Sequence, residues 1–96
     1  MEYQTFINLL PRITSAYRRL LGLIKRAETW SRKLQPLQKR GHQIPINQQL
    51  TNSVLTATSY LNTNRNLLLN LPQVFEGAQA HIEALRAKIL PPDAFK

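Results

Sequence analysis

Thirteen Lys and Arg against five Asp and Glu give this 96-residue chain a formal charge of +8, and a hydrophobic share of 43% excludes an intrinsically disordered polymer. The absence of cysteine removes disulfides, thiolate metal sites and a Cys nucleophile together. No apolar run approaches the ~18 residues of a membrane span, and Met1-Glu2-Tyr3-Gln4 lacks the basic opening of a signal peptide, so the expectation is a soluble, cytoplasmic, strongly basic chain folding as one domain over 1–96.

In chain order, the first predicted element is a long amphipathic helix over about 6–35. Ile13, Ala16, Leu20, Leu23, Ala27, Trp30, Leu34 and Leu37 recur in steps of three and four, and Tyr17, Leu21 and Ile24 widen the stripe into a core-facing seam. Thr5 or Asn8 is placed as the N-cap, with Pro11 in the first turn. Tyr3 and Phe6 precede or open the helix and are read as a staple or a partner contact. Pro36 removes a backbone donor and clashes with the preceding turn, so the helix is expected to stop or kink near Leu34, with Gly41 as its latest end.

The charge is concentrated on this helix. Residues 12–40 hold Arg12, Arg18, Arg19, Lys25, Arg26, Arg32, Lys33, Lys39 and Arg40 against one acid, Glu28, and so carry the whole net charge. Arg18-Arg19, Lys25-Arg26, Arg32-Lys33 and Lys39-Arg40 are dibasic pairs repeated every seven residues. Seven residues make two helical turns less ~20°, so the pairs stack into a slowly drifting stripe, ~10.5 Å apart and ~31 Å from end to end.

Residues 41–47, with Gly41 and Pro45, read as a loop. A second helix is expected over about 47–70, with Asn47 as N-cap and a seam of Leu50, Val54, Ala57, Leu61, Asn64, Leu68 and Leu71. Between Ile46 and Phe75 only Arg65 is charged; the other polar positions are amides and hydroxyls, among them Gln48, Gln49, Asn52, Ser53, Thr56, Ser59, Asn62, Thr63 and Asn66. A third helix over about 72–90 follows, with Asn70 as cap and a seam of Phe75, Ala78, Ile82, Leu85 and Ile89. Glu76 near its start and Arg86 and Lys88 near its end match the helix dipole. Pro91-Pro92 stops it, leaving a tail over 91–96. The fold class expected is all-α, a small antiparallel three-helix bundle of long amphipathic helices. Helix 3 continuing helix 2 through a kink at Pro72 is the alternative.

Catalysis finds little support in these residues, and no enzyme activity, metal or other cofactor is expected. His42 and His81 fall in different elements, and a metal site needs several converging ligands. Glu76 and Glu83 share a helix face, yet dipole matching and solvation account for both. The three scattered glycines form no phosphate loop.

The basic stripe points instead to nucleic acid. Phosphates need repeated cations, and the planar arginine fork bonds two oxygens at once; six of the nine bases are Arg. An ordinary solvated helix mixes Glu with Lys, and this one does not. The candidate binding residues are these nine together with Arg65, supplemented by the amide-rich face of helix 2. Trp30, Tyr17 and Tyr60 are candidates for base stacking, with core packing the favoured reading. No zinc finger, homeodomain or RNA-recognition motif appears, so recognition is expected to be of the backbone of single-stranded DNA, RNA or an RNA–DNA duplex, without sequence readout.

Length, all-helical pattern and the dibasic pairs from Arg18 to Arg40 together resemble the small subunit of multi-subunit CRISPR effector complexes. The resemblance is one of architecture and carries no residue role. It implies a helical bundle stacked within the complex, helping to hold the guide–target duplex or the displaced strand. It implies guide RNA, target DNA and backbone subunits as partners, and no nuclease chemistry in this chain. The other readings are a structural or adaptor bundle whose basic helix binds an acidic protein or an anionic membrane surface, and a coiled-coil oligomer, suggested by the small seam residues Ala16, Ala27 and Ala57 and by the polar Asn64, a type of seam residue that can specify register or oligomeric state. No small-molecule substrate is expected.

Overall fold

The computed structural model describes residues 2–37 and 40–95, with Arg40 as backbone only. The described residues are all-α: α1 (Tyr3–Leu34), α2 (Arg40–Thr63), a single turn α3 (Arg65–Leu68) and α4 (Pro72–Arg86), then a 3-10 turn, Pro92–Phe95.

α1 has 32 residues and buries Ile13, Ala16, Tyr17, Leu20, Ile24, Ala27, Ser31 and Leu34. The buried stripe keeps Tyr17 and Ile24, expected as its widening residues, and shifts towards their side of the seam. Leu23 and Trp30 are half-buried, Leu21 is exposed, and Tyr17, Ile24 and Ser31 lie inside. α1 packs against α2, α3 and α4 rather than against one partner, and Tyr17 turns in to reach Leu68 of α3. The helix also starts earlier than position 6. Glu2, rather than Thr5 or Asn8, occupies the N-cap, and its carbonyl accepts from the Phe6 N–H at 3.0 Å. Pro11 therefore lies inside the helix, where its ring removes the hydrogen bond to the carbonyl of Ile7 on an exposed turn. α1 ends at Leu34, two residues before Pro36, and the Gln35 N–H closes it on the carbonyl of Ser31 at 3.2 Å.

The loop expected over 41–47 is helix. α2 begins at Arg40 and runs through Pro45. The seam in fact extends upstream of Leu50 through half-buried Ile46 and buried Asn47, and that burial outweighs the one hydrogen bond Pro45 forgoes. Asn47 is consequently not an N-cap. Its side chain reaches to the far end of the chain, where Oδ1 accepts from the Leu90 N–H at 2.7 Å and Nδ2 donates to the Leu90 carbonyl at 3.2 Å.

The second helix ends earlier than 70. Asn64, at φ −103° and ψ 16°, separates α2 from α3, and its side-chain amide donates to the carbonyl of Tyr60 at 3.0 Å. Backbone bonds from Asn64 to Tyr60 and from Leu68 to Asn64 persist, so the chain kinks rather than loops. The Tyr17 hydroxyl braces the region beyond, donating to the carbonyl of Leu68 at 2.7 Å and lying 3.3 Å from that of Leu71. Each carbonyl also accepts a backbone N–H, that of Leu68 from Leu71 at 3.1 Å and that of Leu71 from Phe75 at 2.9 Å, so the hydroxyl adds a tertiary tie from α1 to the junction of α3 and α4.

α4 starts at Pro72 in its first turn, where a missing N–H costs nothing. Leu71, not Asn70, is its N-cap; the Asn70 amide instead turns back to the carbonyl of Leu67 at 2.8 Å. The helix ends at Arg86 rather than 90, and residues 87–90 form turns held by Asn47. Phe75, Ala78, Ile82 and Leu85 join Leu20, Leu50, Leu61 and Leu68 in one buried core. The molecule measures 56 × 18 × 17 Å along its principal axes. Among the described residues, no helix is long and apolar enough to cross a membrane.

Candidate nucleic-acid interface

The helical period that buries the α1 seam also exposes its cations. Arg12, Arg18, Arg19, Lys25, Arg26, Arg32 and Lys33 are all solvent-exposed. Lys39 and the side chain of Arg40 lie outside the described residues. The ion pairs seen among the described residues, His81–Glu28 and Arg86–Glu83, involve none of these seven.

Adjacent residues on a helix diverge by about 100°, so the two members of each pair cannot share a direction. The stripe resolves into two rows. Arg12, Arg19, Arg26 and Lys33 occupy the flank towards α2. Arg12 borders a hollow with Tyr60, Asn64 and Leu67. The Arg19 guanidinium lies 5.9 Å from the centre of the Tyr60 ring. Arg26 and Leu23 face Gln49, Asn52, Ser53 and Thr56 across a groove of about 190 Å³. Lys33 Nζ lies 4.7 Å above the ring of Trp30, one heptad on from Leu23. Arg18, Lys25 and Arg32 form the second row. Arg18 sits beside Leu21, Leu71 and Val74, and Arg32 shares a cleft with Glu28, His81, Ala84 and Lys88, against α4.

Glu28 is the acid in the basic stretch, and it is turned away from the first row. Its Oε1 lies 2.6 Å from His81 Nε2 on α4. Arg86 ties α4 to α2 by donating to Thr58 Oγ1 at 3.0 Å while reaching Glu83 at 3.4 Å. α4 therefore occupies one side of the α1–α2 pair, and the Arg26 groove lies open on the other.

Arg65 is not brought to the stripe. It is exposed on α3, with its guanidinium 5.0 Å from the buried Phe75 ring, on the flank that meets α4. Tyr17 is no stacking platform, being 7% exposed with its hydroxyl bonded to α3, and burial pushes that hydroxyl's pKa up from 10.0. Trp30 and Tyr60 are half-buried, each carrying a cation on its ring. The facing of Arg26 by Gln49 and Asn52 is tertiary; its only sequence signal is the uncharged polar run of α2. Within that run the Thr56 hydroxyl donates to the carbonyl of Asn52 at 2.9 Å. The side-chain amides of Gln49 and Asn52, with the Ser53 hydroxyl, are thus the donors the α2 bank offers a ligand.

Among the described residues, no group of three or more His, Asp or Glu is placed to hold a metal ion. No family model, curated protein or solved structure matches this chain.

Proposed function

We propose that this chain is a non-catalytic, cytoplasmic helical subunit that binds nucleic-acid backbone without reading sequence, within a larger ribonucleoprotein such as a CRISPR effector complex. The scaffold is read as an antiparallel three-helix bundle. The observation that carries the reading is the run of seven exposed cations along α1, set in two rows and none of them in an ion pair among the described residues. Cations held this way release condensed counterions when they meet phosphates, which is the main source of sequence-independent affinity. The start of α1 supports membership in an assembly. Tyr3, Ile7 and Leu10 are exposed, and no charge falls between Tyr3 and Pro11; charge depletion with exposed apolar side chains is what a protein contact tolerates.

The test is a salt-series titration of fluorescent single-stranded DNA, duplex DNA and RNA. Affinity should fall linearly with log salt, with a slope of about −0.7 per contacted phosphate for a single strand. Replacing Arg18, Arg19, Lys25 and Arg26 together with Ala should weaken binding and flatten that slope. Absence of binding to all three polymers at low salt refutes the reading, as does unchanged affinity in the quadruple variant. A parallel arm with anionic vesicles separates nucleic acid from a lipid surface.

A further inference from the structure

The two cation rows of α1 are inequivalent. We infer that the ligand is a single strand lying in the open α1–α2 groove, with Arg19, Arg26 and Lys33 on one bank and the Gln49 and Asn52 amides on the other. This rests on the backbone-binding reading above and specifies which nucleic acid it concerns and where that nucleic acid lies.

Three observations converge on the groove. The first is electrostatic. Between Ile46 and Phe75 the chain has no acid, so the α2 bank opposes no phosphate. The acids of the helices gather on the other flank, where Glu28 pairs with His81 and Glu83 with Arg86. A polyanion therefore meets uncompensated cations on the α2 side and mixed charge on the α4 side.

The second is order. Arg19 and Lys33 rest on the rings of Tyr60 and Trp30, while Arg26 between them lines the groove. Long cationic side chains lose rotamer entropy when they grip a ligand, and a side chain already held by a ring loses less.

The third is depth. The groove holds about 190 Å³, and buried Ser53 lines it beside Arg26, Gln49 and Asn52. Groups set back in this way favour a flexible backbone that bends into the groove over a stiff duplex laid across it. A single sugar–phosphate chain can enter it, with amide donors reaching its oxygens and bases near the half-buried rings at either end.

Two triple variants separate the rows while removing the same charge. R19A/R26A/K33A alters the groove, and R18A/K25A/R32A alters the other row. Binding to oligo(dT) and oligo(U) is measured at one fixed salt. The groove triple should lose at least about tenfold in affinity, and the other triple only about twofold. Trp30 is the only tryptophan, so titrating the unsubstituted protein should change its emission with the same midpoint as binding, and this readout needs no variant to fold. Equal losses in the two triples, a silent Trp30, or tighter binding to duplex than to either single strand overturns the inference while leaving backbone binding intact. Failure of the unsubstituted protein to bind any nucleic acid removes both. Binding to oligo(dT) alone or to oligo(U) alone, with the Trp30 response, supports the groove, and oligo(dU) then separates the sugar from the thymine methyl as the group discriminated.

Discussion

Tyr17 is the residue on which the kinked end of the second helical stretch depends, since its hydroxyl is the α1 group that reaches the carbonyls of Leu68 and Leu71. Replacing Tyr17 with Phe removes this tertiary hydrogen bond and should cost about 0.5–1.5 kcal/mol in urea denaturation, since the Leu68 and Leu71 carbonyls keep their backbone donors, Leu71 and Phe75. Burial raises the hydroxyl's pKa in the folded chain above 10.0. Between the unfolded and folded values the unfolded state has lost a proton that the folded state keeps. Tyr17 therefore stabilises the fold fully below about pH 10, and that contribution declines as pH rises through the raised value. The Phe variant should lack this part of the alkaline decline. A second residue-scale prediction concerns Asn47. Its amide pairs reciprocally with both backbone groups of Leu90, so Asn47→Ala should cost about 1–3 kcal/mol and speed hydrogen exchange over 87–95 before the rest of the molecule. The dibasic residues were legible in the sequence because their spacing matches the helical period. Asn47 resembles an N-cap because amides favour that position locally, whereas its actual partner lies 43 residues away.

At the scale of the elements, the long seams set helix type and number of turns, and α1 shows why: its heptad persists from Ile13 to Leu34, and Pro36 sets its end where expected. The boundaries that differ share a cause. Gly41 and Pro45 resemble a loop when local preference is weighed alone, yet burial of Ile46 and Asn47 pulls them into α2. Conversely, the 47–70 pattern conceals a kink, because Asn64 keeps the seam's spacing while its amide competes for the carbonyl of Tyr60. The helical period alone divides each pair into two rows, but their inequivalence is hidden in the sequence, since only the placing of α4 makes one flank open and the other closed. The helices also carry two removable weaknesses. Gly22 lies mid-α1 and Gly77 within α4, and a methyl added at either meets nothing within 4 Å. Gly22→Ala and Gly77→Ala should each stabilise by about 0.5–1 kcal/mol, through lower unfolded-state entropy and better helix propensity. The two lie on different helices with no neighbour in common, so the double variant should show the sum in thermal melts.

The whole molecule is drawn out by α1. Its radius of gyration is 16.2 Å, against about 12–13 Å for a compact globule of this length. An elongated body presents its cations along a line, and cations one heptad apart lie ~10.5 Å from each other. In water each such pair repels by about 0.4 kcal/mol before screening, and the ion pairs among the described residues relieve none of it. The ridge that would grip phosphate is thus a standing destabilisation of the free protein. Added salt should act on it in two opposite directions. Raising NaCl from about 20 to 200 mM shortens the screening length below the heptad spacing, so the melting temperature of the free protein should rise by a few degrees, since 1 kcal/mol corresponds to about 4–8 °C at this size. Over the same range the affinity for nucleic acid should fall. R18A/K25A/R32A provides the control. It should melt higher at low salt and respond less to added salt, because it has lost part of the repulsion, and it should retain most of its affinity if the strand lies in the α2-facing groove. A melting temperature indifferent to salt would show the ridge to be free of electrostatic strain, and the salt slope of binding would then stand alone as the measure of its phosphate contacts.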